Sequence, residues 1–346
     1  MKILLISTCW DSTPPQAYGP AEEIANVVTN ELVRHGHDVT LFATGDSKTT
    51  AKLYYRFEKA PVVYDPLNEI MHVEAAFEFA SSHDFDFVHN QEASYGVRKC
   101  LSLKSPHLTR MNWLGDEKLE AFIRTLSQQD YYRLKFTSIS QRQRQLLPYL
   151  NWVSTIHNGL DVGSFPFNPE KRGEFLLFLG RINEEKGADI AIDIARKASI
   201  PLVIAGTLRP EWQSFFDLKI KPYIDGKNVH WVGEADQGMK RELYTKAYAF
   251  LMPIRWEEPF GIVMIEAMAC GTPVIAFRRG AVPEIIDHAK TGFIVDTVNE
   301  MVESLINISR INPIDCRQHV EAHFSSEVMA KNYIQVYQKI LQRWDA

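Results

Sequence analysis

One pattern restricts this chain more than any other: a short apolar strand, an amphipathic helix and a second strand, written once at the amino end and again from Glu174. Ile3 to Ile6, Ala21 to His35, Val39 to Ala43 and a run at Phe85 to His89 make up the first set. Strands alternating with helices are joined by crossovers, and crossovers give a parallel sheet with helices on both faces. The first helix puts Ile24, Val27, Val28 and Leu32 on one side and stops at Gly36, a residue suited to the left-handed turn that ends helices.

The second set starts with FLLFLG at Phe175, a continuous apolar strand. A helix from about Ala188 follows, then the strands LVIAG, VHWVG, AFLMP and PVIAF. The segment NGLDVGSFPFNPEKRG between the sets is rich in turn formers and reads as a linker. With 346 residues the chain exceeds what one core usually serves, so two doubly wound domains are expected, 1–165 and 166–324, with a cleft between them. From Ser325 to Trp344 a helical repeat places Val328, Met329, Tyr333, Val336, Tyr337, Ile340 and Leu341 on one face, which needs a surface to cover it.

Several functions are disfavoured. A formal charge of −5 gives no general attraction to nucleic acid. The four cysteines, Cys9, Cys100, Cys270 and Cys316, form no metal-binding or redox spacing, and reduced thiols are expected. MKILLIS is too short for a signal or a membrane span, so a cytoplasmic protein is expected. The first strand is not followed by GxGxxG, which weakens a nicotinamide-dependent dehydrogenase. Asp84-Phe85-Asp86 only precedes a buried strand and does not suit a metal-held diphosphate, so no metal and no cofactor is expected.

The residues that carry chemistry lie in two segments of the second half. Glu258-Pro259-Phe260-Gly261-Ile262 comes between a strand and a helix that runs through Glu266. Pro259 suits a first helical turn, which would leave the N–H groups of Phe260, Gly261 and Ile262 free for an anion. Glu258 at the mouth and Glu266 about two turns in suit a polyhydroxylated ligand, because a carboxylate accepts paired hydrogen bonds from neighbouring hydroxyls. Taken alone, the pair is more simply read as solvated helix-end charge. The second segment, Gly180-Arg181-Ile182-Asn183-Glu184-Glu185-Lys186-Gly187, follows the first strand of its domain, at the edge where such sheets bind ligands. Arg181 and Lys186 can converge there on a diphosphate, or be surface charge among the glutamates.

GRINEEKG together with EPFGIVMIEAMACGTPVIA resembles the donor site of glycosyltransferase family 4, a family of retaining sugar transferases with the GT-B fold. PPQAYGPAEEIANVVTNELVRHGHDVTLFATGDS resembles the family's first loop, helix and second strand, and His157-Asn158-Gly159-Leu160-Asp161 the start of its second domain. The resemblance implies that Arg181 and Lys186 bind a diphosphate, Glu258 the transferred sugar and Glu266 a ribose. Backbone contacts would come from Phe260, Gly261 and Ile262, and from Gly19 in the first loop. Gly206 and Gly233 stand where such folds admit a nucleoside, although either can be a plain turn glycine. The donor expected is a UDP-sugar or GDP-sugar, and the acceptor a saccharide, lipid-linked glycan or small molecule. A lipid-linked acceptor would bring peripheral membrane contact. The C-terminal helix of such chains crosses back to the N-terminal domain. Transfer retains the anomeric configuration, the leaving diphosphate taking the acceptor's proton, so the two glutamates need not be acid and base.

The chain departs from the family pattern. Gly19-Pro20 replaces two glycines, and proline removes one N–H; the helix is then expected to begin at Pro20. Asn112 stands where a histidine often faces the sugar, Gln141 where an acidic residue is frequent, and Arg279-Gly280 where two glycines are. Pro20 and Asn112 motivate an alternative, a GT-B protein that binds a nucleotide sugar as a sensor or partner subunit and transfers little. Trp10, Trp113 and Trp256 are either sugar-stacking rings or walls.

Overall fold

The computed structural model describes residues 1–16, 19–61, 65–92, 94–170 and 173–344. Ala17 and Tyr18 of the first loop, and Lys171 and Arg172 of the expected linker, lie outside the described residues. The chain divides into two units: residues 1–159 together with the segment from Ser326 onward, and Leu160–Ser325. The expected linker therefore belongs to the second unit from Leu160 on.

In the first unit, strands β1 (Lys2–Ile6), β2 (Asp38–Ala43), β3 (Lys52–Tyr55), β4 (Phe87–Asn90), β5 (His107–Arg110), β6 (Phe136–Ser138) and β7 (Trp152–Thr155) form a sheet ordered β3-β2-β1-β4-β5-β6-β7. In the second, β8 (Phe175–Leu179), β9 (Leu202–Ala205), β10 (Val229–Trp231), β11 (Ala247–Met252), β12 (Val274–Phe277) and β13 (Gly292–Val295) are ordered β10-β9-β8-β11-β12-β13. The strand pairs are parallel. Each sheet grows first to one side of its opening strand and then to the other. The order reverses between β1 and β4 and between β8 and β11, and at such points the flanking loops part to leave a crevice.

Burial explains why the strands are apolar runs and not alternating patterns: Ile3 to Ile6 and Leu176 to Phe178 are buried whichever face they point to. The first helix, Pro20–Arg34, begins with proline as its first residue, and Ile24, Val28 and Leu32 are buried. It ends at His35, with Gly36 at φ +80°.

The terminal helix, Ser326–Trp344, completes the first unit. Met329, Ala330, Tyr333, Val336, Tyr337 and Ile340 form its buried face and it packs against the first helix. Tyr337 lies 4.4 Å from Phe87, ring centre to ring centre, and its hydroxyl is 2.6 Å from His89 Nδ1. Two residues of β4 are thus covered by a side chain from the far end of the sequence.

Three histidines of this unit, His72, His89 and His107, are fully buried, and burial depresses their pKa to about 4, 3 and 4. A neutral buried histidine resists protonation that the unfolded chain accepts below its ordinary value near 6.5. Stability is therefore unaffected above that pH and is lost as pH falls from about 6.5 toward 4. Each histidine contributes a slope of up to about 1.4 kcal/mol per pH unit in that window. Denaturant unfolding of the first unit at pH 7.5, 6 and 5 should show it, and His107→Asn should flatten it. A stability constant from pH 7 to 5 would contradict this account.

Candidate functional site

The crevice of the second sheet opens beyond the ends of β8 and β11. The loop after β8 carries Arg181 to Gly187 and the loop after β11 carries Pro253 to Gly261. Ile182 and Ile254 are buried and anchor the two loops, while Glu184, Glu185 and Arg255 are exposed. Asn183 folds the first loop by accepting from the backbone N–H of Lys186 at 3.2 Å. Gly187 then turns at φ +76°, and a Cβ there would stand 2.1 Å from the carbonyl oxygen of Pro253. Only glycine lets the two loops come this close.

Arg255 fastens them together. Its guanidinium donates to both carboxylate oxygens of Asp189 at 2.8 and 2.6 Å and to the carbonyl of Glu184 at 2.7 Å. Its backbone N–H donates to the carbonyl of Glu185, also at 2.7 Å. Paired hydrogen bonds between a guanidinium and a carboxylate are among the stronger and more directional contacts available to a partly exposed pair.

The result is a cluster of charge. Lys186 Nζ is 2.6 Å from Glu258 Oε2, and the two side chains are only 15% and 11% exposed. Trp256 Nε1 donates to that same oxygen at 3.1 Å. Arg181 extends alongside, 3.9 Å from the exposed Glu185. Gly280 donates its N–H to Glu257 at 3.1 Å and Ala281 to the carbonyl of Glu258 at 2.8 Å, so the Arg279-Gly280 turn braces the glutamate segment from behind.

The helix beyond is Ile262–Ala269, with Gly261 at φ +84° as its cap. Pro259 is therefore not in a first helical turn, contrary to expectation. It and Phe260 lie in the approach, where the Phe260 side chain is buried against Phe324. The N–H groups at the helix start belong to Ile262 and the residues after it. Glu266 is on this helix, about 6 Å along the axis from Ile262, and buried; Tyr244 OH donates to its Oε2 at 2.8 Å. Burial and the carboxylate push the Tyr244 phenol well above its ordinary range, which keeps it a proton donor.

Gly206 and Gly233 both have a backbone reason to be glycine. Gly206 donates to the carbonyl of Gly233 at 2.8 Å, and a Cβ on Gly206 would meet the carbonyl oxygen of Gly180 at 1.7 Å.

Asn112 and Gly19 are in the first unit. Gly19 caps the first helix in an extended conformation, and a Cβ there would come within 2.7 Å of Pro15 Cβ. Asn112 donates its amide to the carbonyl of Gln91 at 3.3 Å, while its buried Oδ1 has no partner among the described residues. It borders a polar cluster that the sequence reading missed. Arg110 donates to Asn158 at 2.6 Å and to Gln91 at 3.3 Å, and His72 Nε2 donates to the carbonyl of Ser7 at 2.9 Å, 3.7 Å from Glu92. Glu22 is buried against the Thr8 hydroxyl; burial raises its pKa and the hydroxyl works in the opposite sense. The signal in the sequence was the polar run HNQE, which begins inside β4 and continues past its end.

Among the described residues no group of three His, Cys, Asp or Glu side chains is placed to hold a metal ion. The four cysteines are buried, and none forms a disulfide among the described residues. No helix of the described residues is long and apolar enough to cross a membrane.

Comparison with known proteins gives these positions a context. Residues 164–317 match the family described as Glycosyl transferases group 1. Spore coat protein SA of Bacillus subtilis is 25% identical over 98% of this chain and its own full length. Sucrose-phosphate synthase from Thermosynechococcus elongatus superposes with a TM-score of 0.80 at 20% identity, over 99% of each chain. Anabaena Alr3699/HepE, in complex with UDP and glucose, superposes with a TM-score of 0.74 at 16% identity, over 98% of this chain and all of its own.

The approach of the two loops gives a direct test. Gly187→Ala should lower the stability of the second unit by on the order of 2 kcal/mol, from left-handed strain and displacement of Pro253. Gly163→Ala, in the 3-10 turn Val162–Ser164 where a Cβ meets only Asp161 Oδ1 at an ordinary 3.5 Å, should be close to neutral. Equal behaviour of the two in denaturant unfolding would show that the close approach is not required.

Proposed function

We propose that this chain, which carries a group 1 glycosyltransferase domain on a GT-B fold, moves a hexose from a nucleoside diphosphate sugar to a hydroxyl acceptor, with retention at the anomeric carbon. The observation that carries this reading is the cluster of Arg181, Lys186 and Glu258 at the switch point between β8 and β11, with Lys186 Nζ 2.6 Å from Glu258 Oε2.

Arg181 and Lys186 take the diphosphate. Its arrival draws the Lys186 ammonium from Glu258 toward phosphate oxygens, and the carboxylate so released accepts hydrogen bonds from hydroxyls of the donor sugar. The N–H groups at the start of the helix Ile262–Ala269 add positive potential on the phosphate side. Glu266, with one oxygen held by Tyr244, uses the rest of its acceptor capacity for the two ribose hydroxyls. Gly206 and Gly233 border the nucleoside. UDP- and GDP-sugars are the donors this reading favours; the HepE complex with UDP and glucose supports the first.

In the transfer, the bond from the anomeric carbon to the diphosphate oxygen breaks as the bond to the acceptor oxygen forms on the same face. The acceptor's proton passes to the departing phosphate. Arg181 and Lys186 stabilise the charge that grows on the diphosphate, which is where fixed positive charge lowers the barrier most. Two cations and a helix start perform the task often given to a divalent ion, so turnover is proposed to be metal-independent, with no cofactor, in the cytoplasm. The acceptor is a saccharide, a lipid-linked glycan or a small molecule, and Asn112 offers a neutral amide to a hydroxyl.

Calorimetry with UDP, GDP, ADP and their hexose conjugates tests the donor. One nucleotide should bind selectively, and Glu266→Ala and Lys186→Ala should each weaken it at least tenfold. Binding that neither substitution changes would remove the donor assignment. With that donor and an acceptor panel, the product's anomeric proton should keep the donor configuration, and EDTA should leave the rate unchanged. Inversion, or loss of turnover on chelation, would overturn those two parts. Donor binding with no transfer to any acceptor would favour a sensor or partner subunit.

A further inference from the structure

Five side chains of the second unit alternate between cation and indole. Arg209 lies 5.4 Å from the ring centre of Trp212, and Arg181 lies 5.8 Å from the same ring. On its other side Arg181 is 5.7 Å from the ring centre of Trp256, and Lys186 is 4.4 Å from that ring. Each distance is within the range at which an aromatic face attracts a cation.

We infer that Trp256, supported by Trp212, is a positioning residue that holds Arg181 and Lys186 ready for a diphosphate, and is not a stacking platform for sugar. This rests on the proposed role of the two cations. A long basic side chain needs something to fix it, and the usual solution is a carboxylate, as Asp189 fixes Arg255. A carboxylate would neutralise the charge and occupy the guanidinium's fork. An aromatic face holds a cation without accepting its directed N–H bonds, so the donors of Arg181 remain free for phosphate oxygens, while Lys186 is held by both the face and Glu258.

Arg181 fits this description. Its nearest carboxylate contact is the 3.9 Å approach to Glu185, a side chain that is 54% exposed, and its buried Nε has no hydrogen-bond partner among the described residues.

Trp256 does more than supply a face. Its indole N–H donates to the Glu258 oxygen that also contacts Lys186. One ring therefore orients three groups: Arg181 and Lys186 through its face and Glu258 through its edge. Its own place is set by the preceding residue, Arg255, which is bound to the neighbouring loop.

The experiment uses the full chain and compares nucleoside diphosphate with monophosphate, UDP with UMP or GDP with GMP according to which the wild type binds. Trp256→Leu should weaken the diphosphate about tenfold or more and the monophosphate less than twofold, so that the preference for the second phosphate collapses. Trp256→Phe keeps a face and loses the N–H. It should restore most of the diphosphate affinity while kcat falls and KM for the donor stays near the wild-type value. Trp212→Leu should reproduce the Trp256→Leu effect in weaker form, and thermal melts of all variants report folding.

Equal loss of monophosphate and diphosphate in Trp256→Leu would assign Trp256 to general packing and overturn the inference. So would unchanged diphosphate affinity in that variant, or failure of Trp256→Phe to rescue a well-folded protein. A wild type that binds neither nucleotide would overturn the donor reading itself, and this inference with it.

Discussion

Arg255 joins two loops that the sequence keeps 66 residues apart, and the geometry at the mouth of the second sheet follows from that join. Its guanidinium is fixed at once by Asp189, in the first turn of one helix, and by a carbonyl of the loop before it. Beyond the single 3-10 turn Glu184–Lys186, neither loop has regular structure to hold it. Without the tie, Gly187 and Pro253 would have no reason to stay in contact, and the cations of one loop would lose their register against the glutamate of the other. An ordinary exposed ion pair contributes little to stability. The value of this one lies in the two-pronged geometry, which fixes direction as well as distance.

The pairing of Lys186 with Glu258 has a different character. Both side chains are largely withdrawn from water, where each charge alone would carry a heavy desolvation cost, so each makes the other tolerable. On the proposed reading, the two charges that serve a ligand serve one another until it comes. The contact is then a stored state of the site.

Much of the fold was legible because parallel strands buried on both faces leave continuous apolar runs, as at Ile3 to Ile6 and Leu176 to Phe178. Two of the strands that escaped notice lack that signature. β3 is a sheet edge whose Tyr54 and Tyr55 are well exposed, and β6 is only three residues long. Arg181, Lys186, Glu258 and Glu266 were legible from the company they keep in two short motifs. The contacts of Arg255 and Trp212 were not, because they exist only once distant loops have met, and Trp256 was noticed without its contacts to Arg181, Lys186 and Glu258. The start of the helix after Glu258 was misplaced for a local reason: Pro259 has the φ of a first helical turn, but the left-handed Gly261 interrupts before the helix begins. In the first unit, Asn112 drew attention while Glu22, His72 and Arg110 did not, since single polar residues beside apolar strands reveal burial only in three dimensions.

The chain leaves its first unit at Gly159 and returns to it at Ser326. Tyr333 and Tyr337, which finish the cover over β4, are consequently translated only after the whole of the second unit. A sheet whose strands all precede the second unit waits, with Phe87 and His89 uncovered on one side, until that unit has been translated. Domains usually fold in the order in which they are made. Here the later one can be complete first, and the earlier one closes around the tail that follows it.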